Sequence, residues 1–101
     1  MKLQHNPDQR RYELEAEGAM AVLEYEEVEG VRVFTRTFVP EALRGKSLAG
    51  KLTRFALDDT RAAGKQVRPR CSYTQTFLRR HPEYADMQAE GEVAPACGLR
   101  L

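Results

Sequence analysis

Val31-Arg32-Val33-Phe34-Thr35-Arg36-Thr37-Phe38-Val39-Pro40 runs through a polar loop into Arg44-Gly45-Lys46-Ser47-Leu48-Ala49, and from there into a helical pattern that stops at Gly64. The first segment alternates apolar and polar residues as a half-buried strand does, and Pro40 ends it by removing a backbone donor. From Ser47 to Ala63, Leu48, Leu52, Phe55, Ala56, Ala62 and Ala63 recur on one face, with Lys51, Arg54, Asp58 and Arg61 opposite, which predicts an amphipathic helix. Gln66-Val67-Arg68-Pro69-Arg70-Cys71 is then extended again. Strand, helix and strand in this order predict a crossover that lays strand 66–71 parallel to strand 31–39.

Upstream of this unit, Arg11 to Glu15 and Ala19 to Tyr25 alternate in the same way. Gly18 and the turn Glu27-Val28-Glu29-Gly30 connect them into an antiparallel meander that ends on strand 31–39. Downstream, Thr74 to Arg80 predicts a short helix anchored by Phe77 and Leu78 and broken before Pro82; a further turn is expected over Glu83 to Glu90. Residues 1–101 make a single α/β domain with a mixed, mostly antiparallel sheet and a core at about 10–87. Residues 1–10 read as a lead-in and 91–101 as a tail without periodicity. A chain of 101 residues is too short to bury two cores.

Composition narrows the function classes. No apolar run is long enough to span a bilayer, and the amino-terminal residues lack the apolar stretch of a secretory signal, so the expected compartment is the cytoplasm. Cys71 and Cys97 show no CxxC or His/Cys zinc spacing, and no metal is expected. Charge is segregated: residues 31–80 carry twelve basic and three acidic side chains, whereas residues 1–30 carry eight acidic and three basic. Such a basic middle attracts a nucleotide cofactor, a nucleic acid, or the acidic ends of the same chain.

Arg44-Gly45-Lys46-Ser47-Leu48-Ala49 lies where a strand gives way to a helix, the position at which unpaired backbone N–H groups and the helix dipole favour an anion. The segment resembles the clamp Arg/Gln-x-x-Gly-x-Gly/Ala of the GNAT superfamily of N-acetyltransferases, with Ser47 where that family usually has glycine. Its backbone is expected to be helical there. Pro69-Arg70-Cys71, followed by the short helix and His81-Pro82, is similar to the small single-domain branch of the same superfamily. With Thr37-Phe38-Val39-Pro40 the likeness covers residues from about 10 to 87.

The resemblance implies a GNAT-like fold and acetyl transfer from acetyl-CoA to an amine acceptor by direct attack in a ternary complex. The pyrophosphate would lie on Arg44, Gly45, Lys46, Ser47, Leu48 and Ala49, the pantetheine arm on the backbone of Phe38 and Val39, and Phe77 and Arg80 would complete the cofactor site. It places Cys71 near the thioester, and Tyr73 ranks above Tyr84 as the acid that protonates the leaving thiolate. The acceptor wall formed in larger relatives by helices between the first two strands is missing, and the chain is expected to act as a monomer or weak dimer. Glu24 and Glu26 are weak candidates for a base, while His5 and His81 read as surface or capping residues. A non-catalytic acyl-CoA sensor and a small nucleic-acid-binding module are the alternative readings.

Overall fold

A computed structural model describes residues 1–45 and 47–89 of the chain. Five strands, β1 Lys2–Asn6, β2 Arg11–Ala16, β3 Ala19–Val28, β4 Val31–Phe38 and β5 Gln66–Pro69, form one sheet in the order of the sequence. The first four are antiparallel neighbours, and β5 joins β4 in parallel after a crossover through helix α1, Leu48–Ala62. Helix α2, Ser72–Arg80, and a 3₁₀ segment over Pro82–Met87 follow. The tail at 91–101, Cys97 and Lys46 lie outside the described residues.

The hairpins β2–β3 and β3–β4 are two-residue loops, Glu17-Gly18 and Glu29-Gly30. All four of these residues have positive φ, as the twist-compatible type I′ turn requires. Glu27 and Val28 therefore belong to β3, and the second turn is tighter than its sequence suggests.

Alternation sends Tyr12, Leu14, Ala21, Leu23, Tyr25 and Phe34 to one face, where Leu52, Ala56 and Leu57 of α1 close the core. The apolar stripe of α1 differs from the expected one. Ala62 and Ala63 are exposed, and Thr53 and Thr60 are fully buried in their stead. Each threonine donates its hydroxyl to the carbonyl four residues earlier, Ala49 and Ala56, both at 2.8 Å, so the polar atom is satisfied within the helix and the methyl faces the core.

Two boundaries shift. β5 ends at Pro69, and Cys71 is the N-cap of α2, which begins at Ser72 instead of Thr74. Pro69 is tolerated because β5 has β4 on one side and, among the described residues, on the other only a bridge from Val67 to Gln88, with Ala89 N donating to Val67 O at 2.9 Å.

β1 is the strand absent from the sequence reading. Its register with β2 pairs His5 with Tyr12, and the two rings stack at 4.2 Å. His5 Nε2 lies 2.6 Å from the Tyr25 hydroxyl and Nδ1 3.2 Å from the Asp59 carboxylate, so this histidine fastens the strand to β3 and α1 and is no loose surface group. Burial pushes its pKa below the usual value despite the opposing pull of Asp59; Arg32 adds to the lowering and Glu27 opposes it.

A depressed histidine makes the folded state bind fewer protons than the unfolded chain. Stability is then full above the unfolded value of about 6.5 and is lost as pH falls toward the folded-state value. Urea denaturation between pH 8 and 5 should show the midpoint dropping below about pH 6.5. In His5→Gln this limb should flatten, leaving only the loss at lower pH caused by Glu13 and Glu27, both held below the usual carboxylate range. An unchanged limb in the variant would assign the proton uptake to another group.

Candidate functional site

β4 and β5 pair only from Val31 with Gln66 to Phe34 with Pro69. The Phe34 carbonyl then accepts both Arg70 N–H at 2.8 Å and Cys71 N–H at 2.9 Å, and beyond this last rung the two chains part. A bulge lies at the same level. Tyr25 pairs with Phe34 and Glu24 with Arg36, leaving Thr35 as the extra residue, and its hydroxyl donates to Glu24 O at 3.3 Å. Such a bulge bends the strand and increases its twist as β4 leaves β5.

Beyond the bulge, Thr37 and Val39 turn inward and half-buried, while Arg36 and Phe38 face out, with the Arg36 guanidinium 5.4 Å above the Phe38 ring. Val39 packs against the core, and its carbonyl accepts Arg44 Nε at 2.9 Å. Arg44 thus ties the loop to the strand end.

Gly45 has φ of 78° with open space around a notional Cβ, so its backbone conformation and not crowding requires glycine. Ser47 is also left-handed, φ 61° and ψ 21°, and caps α1 without a side-chain bond. This corrects the expectation of helical backbone there, and it accounts physically for glycine at the matching family position. Lys51 N–H bonds Ser47 O at 3.4 Å, so the amides of Leu48, Ala49 and Gly50 are those that an α-helix leaves without an internal partner. The Leu48 side chain itself is in the core.

A cleft of about 360 Å³ opens between the first half of α1 and the length of α2. Ser47, Gly50, Lys51 and Arg54 line it from α1, and Tyr73, Thr76, Phe77, Arg80 and His81 from α2 and its end. Of the sequence candidates, Ser47, Tyr73, Phe77 and Arg80 meet here; Phe38, Val39, Arg44, Gly45, Leu48 and Ala49 do not border this cleft, and Lys46 falls outside the described residues.

The newcomers were readable as spacing. Ser47, Gly50, Lys51 and Arg54 recur at three and four residues, as do Tyr73, Thr76, Phe77, Arg80 and His81, so each set forms one helix stripe. Gly50 gives the cleft its depth, since an added Cβ would touch the Tyr73 hydroxyl at 3.7 Å and the Phe77 ring at 3.9 Å. His81 stacks on Phe77 at 3.9 Å and its Nδ1 lies 2.8 Å from Phe77 O.

Cys71 is half-buried at the N-cap of α2, with its sulfur 3.4 Å from the Thr37 hydroxyl across the parted strands. Burial by itself would push the thiol up. The Thr37 hydroxyl, the backbone amides of Thr74 and Tyr73 and the Thr74 hydroxyl outweigh that and bring the thiol below its ordinary value. Thr37 on β4 and the start of α2 supply this effect together; none of the nearby arginines is among its leading causes. Tyr73 moves the other way, raised by burial, with Arg80 pulling it down and Cys71 pushing it up.

Part of the segregated charge is folded onto itself. Arg32 and Lys65 pair with Glu27, Arg36 with Glu24, Arg54 with Glu83 and Arg61 with Asp86. Among the outcomes the sequence left open, the acidic ends of the same chain are a principal partner of the basic middle. Glu24 and Glu26 border a second recess, with Asp8, Arg10 and Thr35, beside the bulge. Tyr84 donates to Asp58 at 2.8 Å and accepts from Arg54, packing the 3₁₀ segment to α1. Among the described residues no cluster of His, Cys, Asp or Glu could hold a metal, and no helix is long and apolar enough to cross a membrane.

A mixed sheet whose two parallel strands part beside a helix start, with a cleft between that helix and the next, is the framework of an acyltransferase of GNAT type. The chain belongs to the GCN5-related N-acetyltransferase family, whose model it matches over residues 11–87. It is similar to the Protein NATD1 of Danio rerio, at 31% identity over 91 residues that cover 85% of this chain and 83% of that protein.

Proposed function

We propose that this protein binds acetyl-CoA in the cleft between α1 and α2 and transfers the acetyl group to an amine by direct attack in a ternary complex, with Cys71 and Tyr73 assisting. The observation that carries this reading is the cleft of cations and aromatics between α1 and α2, with two helix starts beside it that bring backbone amides and a thiol. The first-turn amides of α1 and the cations Lys51, Arg54 and Arg80 suit phosphates. Tyr73 and Phe77 offer apolar cover, and the Cys71 sulfur lies at the start of the helix that bears them. Each helix-terminus contact to an anion contributes about 0.3–1 kcal/mol, so a diphosphate that engages several gains selectivity over a lone anion. Arg44, Gly45, Lys46, Ser47, Leu48 and Ala49 shape this end of the site, and the parted backbone at Phe38 and Val39 is where an extended arm can add to the strand edge.

In the reaction a neutral amine nitrogen attacks the thioester carbonyl carbon, the C–S bond breaks, and the amide forms. The Cys71 thiolate accepts the proton lost by the nitrogen. Tyr73, protonated at neutral pH as an ordinary tyrosine is and the more so because burial raises it, donates its hydroxyl proton to the departing CoA sulfur, and solvent returns the proton from Cys71 to Tyr73. Orientation of the two reactants supplies much of the acceleration.

The test is calorimetric titration with CoA, acetyl-CoA and ATP, followed by transfer assays on a panel of amines and peptides. Saturable binding that prefers CoA, with Cys71→Ala retaining affinity and losing at least about tenfold in transfer, is the expected result. Binding without transfer to any acceptor would favour an acyl-CoA sensor. Acetylation of Cys71 itself in the absence of amine would replace direct attack with a covalent route.

A further inference from the structure

We propose that Thr37 and Thr74 are positioning residues for the Cys71 sulfur: Thr37 reaches it from β4 across the parted strands, Thr74 brings a buried, unpaired hydroxyl to the first turn of the helix that Cys71 caps, and together they orient it for the transfer step. This rests on the reading of Cys71 as the residue that assists transfer.

Thr37 belongs to β4 and Cys71 to the start of α2, 34 residues later, so their 3.4 Å contact is a product of tertiary structure alone. A thiolate can only accept, which obliges the Thr37 hydroxyl to donate when the sulfur is charged. Thr74 adds an independent observation. Its side chain is fully buried, and its Oγ1 makes no hydrogen bond of ordinary geometry. A buried hydroxyl left unpaired costs about 1–3 kcal/mol, and valine would fill the same space without that cost. Cys71 stands three residues before Thr74, at the N-cap of the same helix, and a negative charge on its sulfur is what both threonine hydroxyls favour. Cys71 is the N-cap of α2 without a side-chain cap bond, and the first-turn amides of Tyr73 and Thr74, which an α-helix leaves without an internal partner, favour a charged sulfur. The Thr37 hydroxyl from β4 and the unpaired first turn of α2 thus bracket one sulfur, which is a full acceptor only as a thiolate.

The experiment reads the sulfur directly. Carbamidomethylation of Cys71 by iodoacetamide is followed against pH by peptide-resolved mass spectrometry, which keeps Cys97 out of the signal. Wild-type protein, Thr37→Val, Thr74→Val, the double variant and the two serine variants are compared. Wild type should show an inflection below the ordinary thiol value of about 8.5. Each valine variant should move it upward, leaving several-fold less thiolate at pH 7, and the double variant should move it further. Thr37→Ser and Thr74→Ser should restore it.

Below the inflection, where the sulfur is neutral, Thr74→Val should melt at the wild-type temperature or above it, because it removes an unpaired buried hydroxyl; this separates loss of the donor from loss of fold. Valine variants that are folded and titrate as wild type, or serine variants that behave like valine, would overturn the proposal. The alkylation readout needs no acyl transfer. A shifted inflection in a protein that acetylates nothing would refute the transferase reading while the positioning of the sulfur stands, and active transfer with an unmoved inflection would refute the positioning alone.

Discussion

CoA titrated into Ala49→Asp is expected to bind at least about 100-fold more weakly than to the wild-type protein, with no loss of thermal stability. Ala49 is the second residue of α1, half-buried, in a first turn that contains no acidic residue. An aspartate there complements the helix dipole and by itself favours the helix by about 0.3–1 kcal/mol. Weakened binding therefore cannot be assigned to unfolding.

The same carboxylate stands against the diphosphate proposed to lie on the amides of Leu48, Ala49 and Gly50. Two unit charges about 4 Å apart near a protein surface repel by up to about 4 kcal/mol before salt screening, and a factor of 100 needs about 2.7 kcal/mol. Salt should shrink the difference, since the Debye length falls from about 10 Å at 0.1 M to about 3 Å at 1 M. Ala49→Asn, of equal size and no charge, should stay within a few-fold of wild type. Normal CoA binding by folded Ala49→Asp would remove this helix start from the cofactor site, whatever the fate of Cys71.

Particular residues show how far the sequence alone could be read. Strands β2, β3 and β4 announce themselves because their inward positions are apolar and their turns end in glycine; the α1 pattern is long enough to be unmistakable. β1 was hidden because its inward positions are Leu3 and His5, and a histidine seated among two tyrosines and an aspartate looks polar until β3 and α1 are in place. Thr53 and Thr60 were passed over for Ala62 and Ala63 since hydropathy cannot see a hydroxyl that is satisfied by its own helix.

The site divides in the same way. Motif residues such as Ser47 and Cys71 stand at the two helix starts as their local sequence suggests, but the left-handed Ser47 and the Thr35 bulge are backbone features with no side-chain signature. The contact between Thr37 and Cys71 depends on how β4 and α2 are placed, and nothing local in either segment encodes it.

Arg32→Ala is expected to lower unfolding stability by about 2–4 kcal/mol, a large share of the 5–15 kcal/mol typical of a domain, as read from urea midpoints at constant slope. Arg32 is 7% exposed at the start of β4, the end of the strand away from Cys71. Its Nε donates to Glu27, its Nη1 to the Tyr12 hydroxyl and, at 3.4 Å, to Asp59, and its guanidinium lies 5.1 Å from the centre of the Tyr25 ring. Alanine removes all four contacts and opens a void under the arginine stem.

The loss stays within that range because the survivors are not wholly abandoned. Tyr12, whose pKa burial raises, still donates to Asp59 at 2.8 Å, Lys65 still reaches Glu27 at 3.1 Å, and both carboxylates are more than a third open to water. Arg32→Met separates packing from charge. It refills the space beside Tyr12 without a donor, so it should recover roughly half of the loss.

Histidine provides an internal check, because Arg32 is one of the groups that depress His5. In either variant the His5 titration followed by NMR should move upward, and the acid limb of the stability curve should become shallower. A destabilisation below about 1 kcal/mol with an unmoved His5 would mean that solvent already screens this cluster.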